Sequence, residues 1–287
     1  MNRKIRISVA VLTIVGVCFC SVLTWAADDT QAVEAPNAAA SAEGSVKAES
    51  TQGPLDLDDL ARRSTDPTAS PMTFSFVGTI TTDYYDLADG SSIDGTGGDL
   101  AFRPVLPFKA WGASHILRMT LPYQVSGAGP NGLGSISIFD LMVFKKSWGR
   151  LGAGLVASFS SKSDAGSSHA AIGPAIGFMK PISKKLQFGL FNQNLFSGDT
   201  EVSQLQPILA YQLGDGWSLS LGDLQIAYDW KDGNFVSIPF GVQLGKVLPL
   251  WGQPMRFAVN PQFNFKDTPG VDKFSVLLTV SLLIPGG

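Results

Sequence analysis

Met255-Arg256-Phe257-Ala258-Val259-Asn260-Pro261-Gln262-Phe263-Asn264-Phe265 is the stretch on which the fold turns. Successive side chains of an extended chain point to opposite faces. Phe257, Val259, Pro261, Phe263 and Phe265 therefore share one face, and Arg256, Ala258, Asn260, Gln262 and Asn264 share the other. One face is wholly apolar and the other polar or small. A soluble β-sandwich uses such a strand with the apolar face as core and the polar face in water. A transmembrane barrel uses it with lipid outside and a wet lumen inside. The polar face carries amides and small residues rather than the Lys and Glu usual on a water-facing strand, and that favours a confined lumen.

The same alternation recurs on both sides of this strand. Val236, Ile238, Phe240, Val242 and Leu244 alternate with Ser237, Pro239, Gly241, Gln243 and Gly245. Phe274, Val276, Leu278, Val280, Leu282 and Ile284 alternate with Ser275, Leu277, Thr279 and Ser281. Leu205, Pro207, Leu209 and Tyr211 oppose Gln204, Gln206, Ile208 and Ala210. Segments of this kind begin near residues 72, 98, 112, 134, 149, 169, 184, 203, 216, 235, 254 and 273. These give about twelve strands, an even number as single-chain bacterial barrels require. Up to residue 197 the connections alternate long (Asp83 to Gly97, Gln124 to Leu133, Ser161 to Ser168) with short (Lys109 to Trp111, Ser147-Trp148, Pro181 to Ser183). Beyond 197 all are short. Long external loops and short periplasmic turns are what an outer-membrane barrel shows, and a sandwich has no reason to keep the pattern. Trp111, Trp148, Trp217, Trp230, Trp251 and Tyr228 sit near segment ends, where interfacial girdles lie. The chain does not end on the aromatic residue common in such barrels but on Pro285-Gly286-Gly287.

Composition agrees with a membrane barrel or an all-β globule. Only 16% of the chain is charged against 45% hydrophobic, with 31 glycines and 17 prolines to turn it, whereas soluble domains carry roughly 25% charged residues. No apolar run beyond the N-terminus reaches the ~18 residues of a spanning helix. Arg3, Lys4 and Arg6, the apolar run Ile7 to Leu23 and the small residues of Thr24-Trp25-Ala26 have the three-part layout of a secretory signal, with cleavage after Ala26. Cys18 and Cys20 lie within it, so the exported part has no cysteine. Loss of the signal leaves 18 basic against 24 acidic side chains, a net charge of −6 that argues against a nucleic-acid partner. Residues 27–71, rich in Ala, Ser, Asp, Glu and Thr, read as a disordered periplasmic linker, with one amphipathic patch at Leu55 to Ala61. Residues 72–287 are the barrel.

The motifs that suggest chemistry have plainer explanations. Gly127-Ala128-Gly129-Pro130-Asn131-Gly132 matches G-x-G-x-x-G, but a strand rather than a helix follows it. Asp83, Asp86, Asp89, Asp94 and Asp99 lack the alternate-position spacing of a calcium loop. His115 and His169 stand without a G-x-S-x-G elbow or a paired-acid motif. No enzyme activity and no cofactor or metal is expected. With the apolar face toward lipid, Arg103, Arg118, Gln204, Gln206, Asp229, Arg256, Asn260 and Gln262 line the lumen. Asp140, inside the apolar run Ile136 to Phe144, is expected to join them, because a carboxylate facing lipid is costly. These polar groups either pair and fill the lumen or line a solute path.

Gln206-Pro207, Leu213-Gly214-Asp215-Gly216-Trp217, Asp229-Trp230, Ile238-Pro239-Phe240-Gly241 and Leu244-Gly245-Lys246-Val247 resemble a bacterial family of outer-membrane transporters. It is the family grouped with the phenol-degradation meta-pathway proteins and sometimes mislabelled neuromedin U. Asp140-Leu141 resembles a Gly-Asp-Leu of an earlier strand there, with Phe139 in place of the glycine. The resemblance implies a barrel in a Gram-negative outer membrane, with the lipid bilayer and a small, hydrophobic or aromatic solute as its partners. The expectation is a passive channel or uptake pore. An exported barrel or sandwich with a binding or structural role is the alternative.

Overall fold

The computed structural model describes residues 56–93, 95–127, 131–159, 170–198 and 201–285. The signal segment 1–26 and the stretch 27–55 lie outside the described residues, as does His169. One helix, α1 (Leu57–Ser64), precedes the strands. Then come β1 (Met72–Tyr84), β2 (Gly97–Ala110) and β3 (Ala113–Ser126). The fourth stave is in two pieces, β4 (Gly132–Leu133) and β5 (Ile136–Lys146). Four unbroken staves follow: β6 (Gly149–Phe159), β7 (Ala170–Pro181), β8 (Leu186–Phe196) and β9 (Glu201–Gly214). The ninth stave comprises β10 (Trp217–Ser220) and β11 (Ile226–Asp229). The tenth comprises β12 (Asn234–Ser237), β13 (Pro239–Gly241) and β14 (Gln243–Leu250), and β15 (Gln253–Asn264) and β16 (Asp272–Ile284) complete the round. Every neighbour pairs antiparallel, and β16 returns to β1 from Met72↔Ile284 to Tyr84↔Asp272. The result is a closed twelve-stave barrel, and closure leaves no edge strand to aggregate.

Hairpin chemistry sets the two ends. At 111–112, 215–216 and 251–252 both turn residues have positive φ: Trp111 49° and Gly112 76°, Asp215 52° and Gly216 76°, Trp251 51° and Gly252 77°. Two left-handed residues make the turn that matches the twist of a tight hairpin. These turns, with 147–148 and 182–185, form one end of the barrel, here the turn end, where β1 also begins and β16 finishes. The opposite, loop end carries 85–93, 230–233 and 265–271, and β6 finishes and β7 begins there. Alternation of long and short connections thus persists past residue 197, in weaker form. Trp111, Trp148, Trp217 and Trp251 are exposed at the turn end, and Tyr228 packs edge-on against Trp230 and Phe235 at the loop end.

Between these girdles the outer surface is apolar. Leu155, Ile172, Ile176, Leu209, Phe240, Leu244, Val259 and Phe263 all stand exposed there. On β15 the faces are those read from its sequence: Val259, Phe263 and Phe265 are exposed, while Arg256, Ala258, Asn260 and Asn264 are buried. The inner surface has two characters. On β5 to β9 it holds an apolar cluster, Phe139, Leu141, Val156, Met179, Phe191 and Ile208, bordered by the buried glutamines of β8 and β9. These large side chains lie over bare strands: a Cβ on Gly177 would sit 2.4 Å from Phe191 Cδ2, and one on Gly189 would sit 2.1 Å from Met179 Sδ. The glycines of β7 and β8 are therefore sockets. Elsewhere the inner surface is mixed, with Arg103, Arg118, Gln243 and Arg256 set among Val77, Ile116 and Leu283.

Residues 56–71 do not form the expected linker. Asp56 caps α1 through its carboxylate, which accepts from Asp58 N at 3.1 Å and Asp59 N at 3.0 Å. Leu57, Leu60 and Ala61 then pack on the inward side chains Val247 and Leu283. Gly216 N donates to Asp58 Oδ1 at 2.6 Å, and Gln187 Nε2 donates to Arg62 O at 3.0 Å. Asp66, buried, accepts from Thr68 N at 2.8 Å and is paired with Arg150 of β6. The segment is a stopper seated inside the turn end. Its polar composition suggested a solvated chain, but its polar groups are spent on the barrel wall and on its own backbone.

Candidate functional site

Ser220 of β10 pairs with Ala210, whereas Ile226 of β11 pairs with Leu205, so residues 221–225 face 206–209 with one residue more than a regular ladder holds. Such a bulge bends the strand and re-aims its side chains. Gly222 makes it feasible: its φ is +75°, and a Cβ there would lie 2.0 Å from Asn260 Nδ2. The bend delivers Asp223 into the lumen. Its Oδ2 accepts from Arg103 Nη1 at 2.7 Å and from Arg118 Nη2 at 3.4 Å, and its Oδ1 accepts from Gln206 Nε2 at 3.1 Å. Beside it the buried Arg256 donates through Nη2 to Gln243 Oε1 at 2.7 Å, which also accepts from Ser220 Oγ at 3.3 Å. Arg118 lies 5.8 Å from the ring centroid of Phe139, at the margin of the apolar wall.

Two cavities meet at this cluster. One, of about 130 Å³, lies toward the turn end, between the stopper residues Thr65 and Asp66 and the Arg118, Phe139 and Arg256 side chains. The other, of about 430 Å³, lies toward the loop end and is lined by Gln225, Gln262, Asn264 and Asp272. Arg103 and Asp223 border both. They form the partition of the lumen.

Of the residues expected in the lumen, Arg103, Arg118, Gln206 and Arg256 are brought together around Asp223. Asn260 is fully enclosed beside Gly222, and Gln262 lines the outer cavity. Gln204 shares the inward face of β9 with Gln206 but stands outside the cluster. Asp229 serves another purpose: its Oδ1 accepts from Lys231 N at 2.8 Å and Asp232 N at 3.2 Å, closing the turn after β11. Asp140 is corrected outright. Phe139 and Leu141 on either side of it point inward, and Asp140 stands on the outer face opposite Leu155. Two large side chains gain more from the inner wall than one carboxylate loses outside. That carboxylate is partnered there by His115 Nδ1 at 3.0 Å, which is tucked beneath Phe108 and Trp111. His115 Nε2 has no hydrogen-bond partner among the described residues. In the loop after β1, Asp89 is occupied by Ser91 and Asp86 by Ser92.

Asp223 and Gln243 were not foreseen. The signal for Asp223 is Gly222-Asp223-Leu224, a glycine and a carboxylate interrupting an otherwise alternating run. The signal for Gln243 is weaker, one amide among the small residues of its strand face.

Closed antiparallel staves, an apolar outer belt and a polar lumen define the architecture of an outer-membrane β-barrel. No protein-family model matches the chain, and no curated protein is similar to it in sequence. Among solved structures, an outer-membrane channel of Pseudomonas putida F1 is similar, at 14% identity and a TM-score of 0.51, over 76% of this chain and 98% of that one. Looser likenesses include the outer membrane phospholipase A of Escherichia coli, at 14% identity and a TM-score of 0.44 over 79% of this chain and 98% of that one. A deletion mutant of the monoaromatic hydrocarbon channel TodX matches at 11% identity and a TM-score of 0.36, over 75% and 92%. Of what the motifs between Gln206 and Val247 imply, the fold is supported: the chain has a β-barrel like that of the Pseudomonas putida F1 outer-membrane channel.

Proposed function

We propose that this protein is an outer-membrane channel that passes small molecules, and that it carries out no catalytic step. The observation that carries the reading is the lumen itself. Two cavities lie between the loop end and the stopper, and the side chains of Arg103 and Asp223 border both. Side chains rearrange far faster than backbone, so such a partition selects among solutes without sealing the path. The exposed belt of Leu155, Ile172, Phe240 and Val259 supports insertion in a bilayer, because water-exposed apolar patches of that extent are rare on soluble monomers. The inner-surface aromatics Phe139 and Phe191 support a solute with an apolar body. Single-channel recording in planar bilayers tests the proposal. Discrete conductance steps from the full-length protein are expected. Silence from the wild type, and also from a variant whose stopper has been loosened, would leave a plugged barrel of structural or binding role.

A further inference from the structure

We infer that the lumen cluster is a recognition site for a small organic anion, a carboxylate borne on an aromatic ring; the inference rests on reading the lumen as a solute path. Charge comes first. Arg103, Arg118 and Arg256 all border the inner cavity. The one carboxylate they share is Asp223, already in contact with Arg103 at 2.7 Å and Arg118 at 3.4 Å. Asp66 borders the same cavity, but its carboxylate is taken up by Arg150 and Thr68. Arg256 shares the field of that same carboxylate without touching it; it hydrogen-bonds a neutral partner, Gln243, and its Nε has none among the described residues, although the residue is only 6% exposed. Arg103 Nε is likewise buried and unpartnered. A guanidinium taken out of water without a counter-ion is expensive, and an arriving anion relieves that cost. Its planar fork also suits a carboxylate better than a spherical ion.

The rest of the wall specifies the remainder of the ligand. Val105, Ile116, Phe139 and Ile208 border the same cavity. A volume of about 130 Å³ is close to the roughly 150 Å³ apolar cavity that admits one benzene ring. An inorganic anion would leave this wall unmatched, a neutral hydrocarbon would leave three guanidinium groups with one carboxylate among them, and an organic cation would meet like charge.

Sodium benzoate is the probe, with benzyl alcohol and benzylammonium chloride as neutral and cationic counterparts of equal size. Calorimetric titration of the full-length protein folded in detergent should show benzoate binding at least ~10-fold more tightly than either, the worth of one charge-assisted hydrogen bond. Arg256→Gln should lower benzoate affinity on the order of 10-fold by losing that bond. Gln243→Glu, which supplies Arg256 with a resident carboxylate and keeps every arginine, should do the same; an unboiled gel-mobility assay confirms that both variants are folded. Equal binding of the three probes, binding of none, or benzoate affinity unchanged in both folded variants overturns the inference. Proteoliposome flux separates the two claims. Benzoate binding without any solute flux sinks the channel reading alone, and flux with no preference for benzoate sinks this one alone.

Discussion

Asp223 is the residue through which the lumen is organised. It is the shared counter-charge of Arg103 and Arg118, and it reaches them only because Gly222 adopts a left-handed backbone with Asn260 pressed against its face. Asp223→Asn removes the one negative charge of the partition. Under a potassium chloride gradient the reversal potential should then move toward chloride, with the chloride-to-potassium permeability ratio rising roughly three- to tenfold, since a charge bordering both cavities weighs heavily on selection. An unchanged reversal potential would place the selective point elsewhere. Gly222→Ala should cost about 2 kcal/mol or more, from positive φ and overlap together, read as a lowered urea midpoint in lipid vesicles. On the outer face, the His115–Asp140 pair is a polar patch in an apolar belt. Replacing both, His115→Phe with Asp140→Leu, should raise unfolding free energy by about 1–3 kcal/mol, because an apolar pair of similar bulk often outdoes a polar pair set in an apolar belt. A fall would show that the pair does structural work for the barrel.

At the scale of elements, α1 and the turn after it decide how open the turn end is. The stopper is held by Asp58 on Gly216 N, Gln187 on Arg62 O and Thr65 Oγ1, and Asp66 on Arg150. Asp66→Ala deletes the buried anchor and leaves Arg150 without its counter-charge. Mean single-channel conductance should rise at least about twofold, as a short helix deprived of tertiary anchors is marginal; identical conductance would mean that the stopper does not narrow the path. The strands were legible from sequence to within two or three residues, since period-two alternation is imposed by the wall itself. On β15, where polar and apolar faces are unambiguous, every side came out as read. On β5 the stretch Ile138–Phe144 is apolar on both faces apart from Asp140, and the rule that carboxylates avoid lipid points to the wrong side because His115 waits on the other. The bulge at 221–225 was invisible for a different reason. A single extra residue shifts the register of pairing without disturbing local composition, so Asp223 lay hidden in a run that looked like connecting strand. The stopper escaped notice because its polar side chains find their partners only in the assembled barrel.

For the whole molecule, the central claim is that the twelve staves close on themselves with their apolar belt in a bilayer. Each pairing supports it, from β1 on β2 round to β16 on β1, and so do the tryptophan-bearing turns at one end and the longer loops at the other. The inner surface then carries an apolar cluster and three arginines gathered around Asp223, and the proposed solute path and its proposed preference for aromatic anions rest on these features. The most direct test is mobility on an SDS gel of protein extracted in mild detergent from fractionated membranes, run with and without boiling. A closed barrel in the outer-membrane fraction should migrate ahead of its unfolded position until boiled, because no edge strand offers the detergent a place to begin. A single mobility under both conditions, with the protein in the soluble fraction, would contradict the barrel's membrane setting and with it the channel.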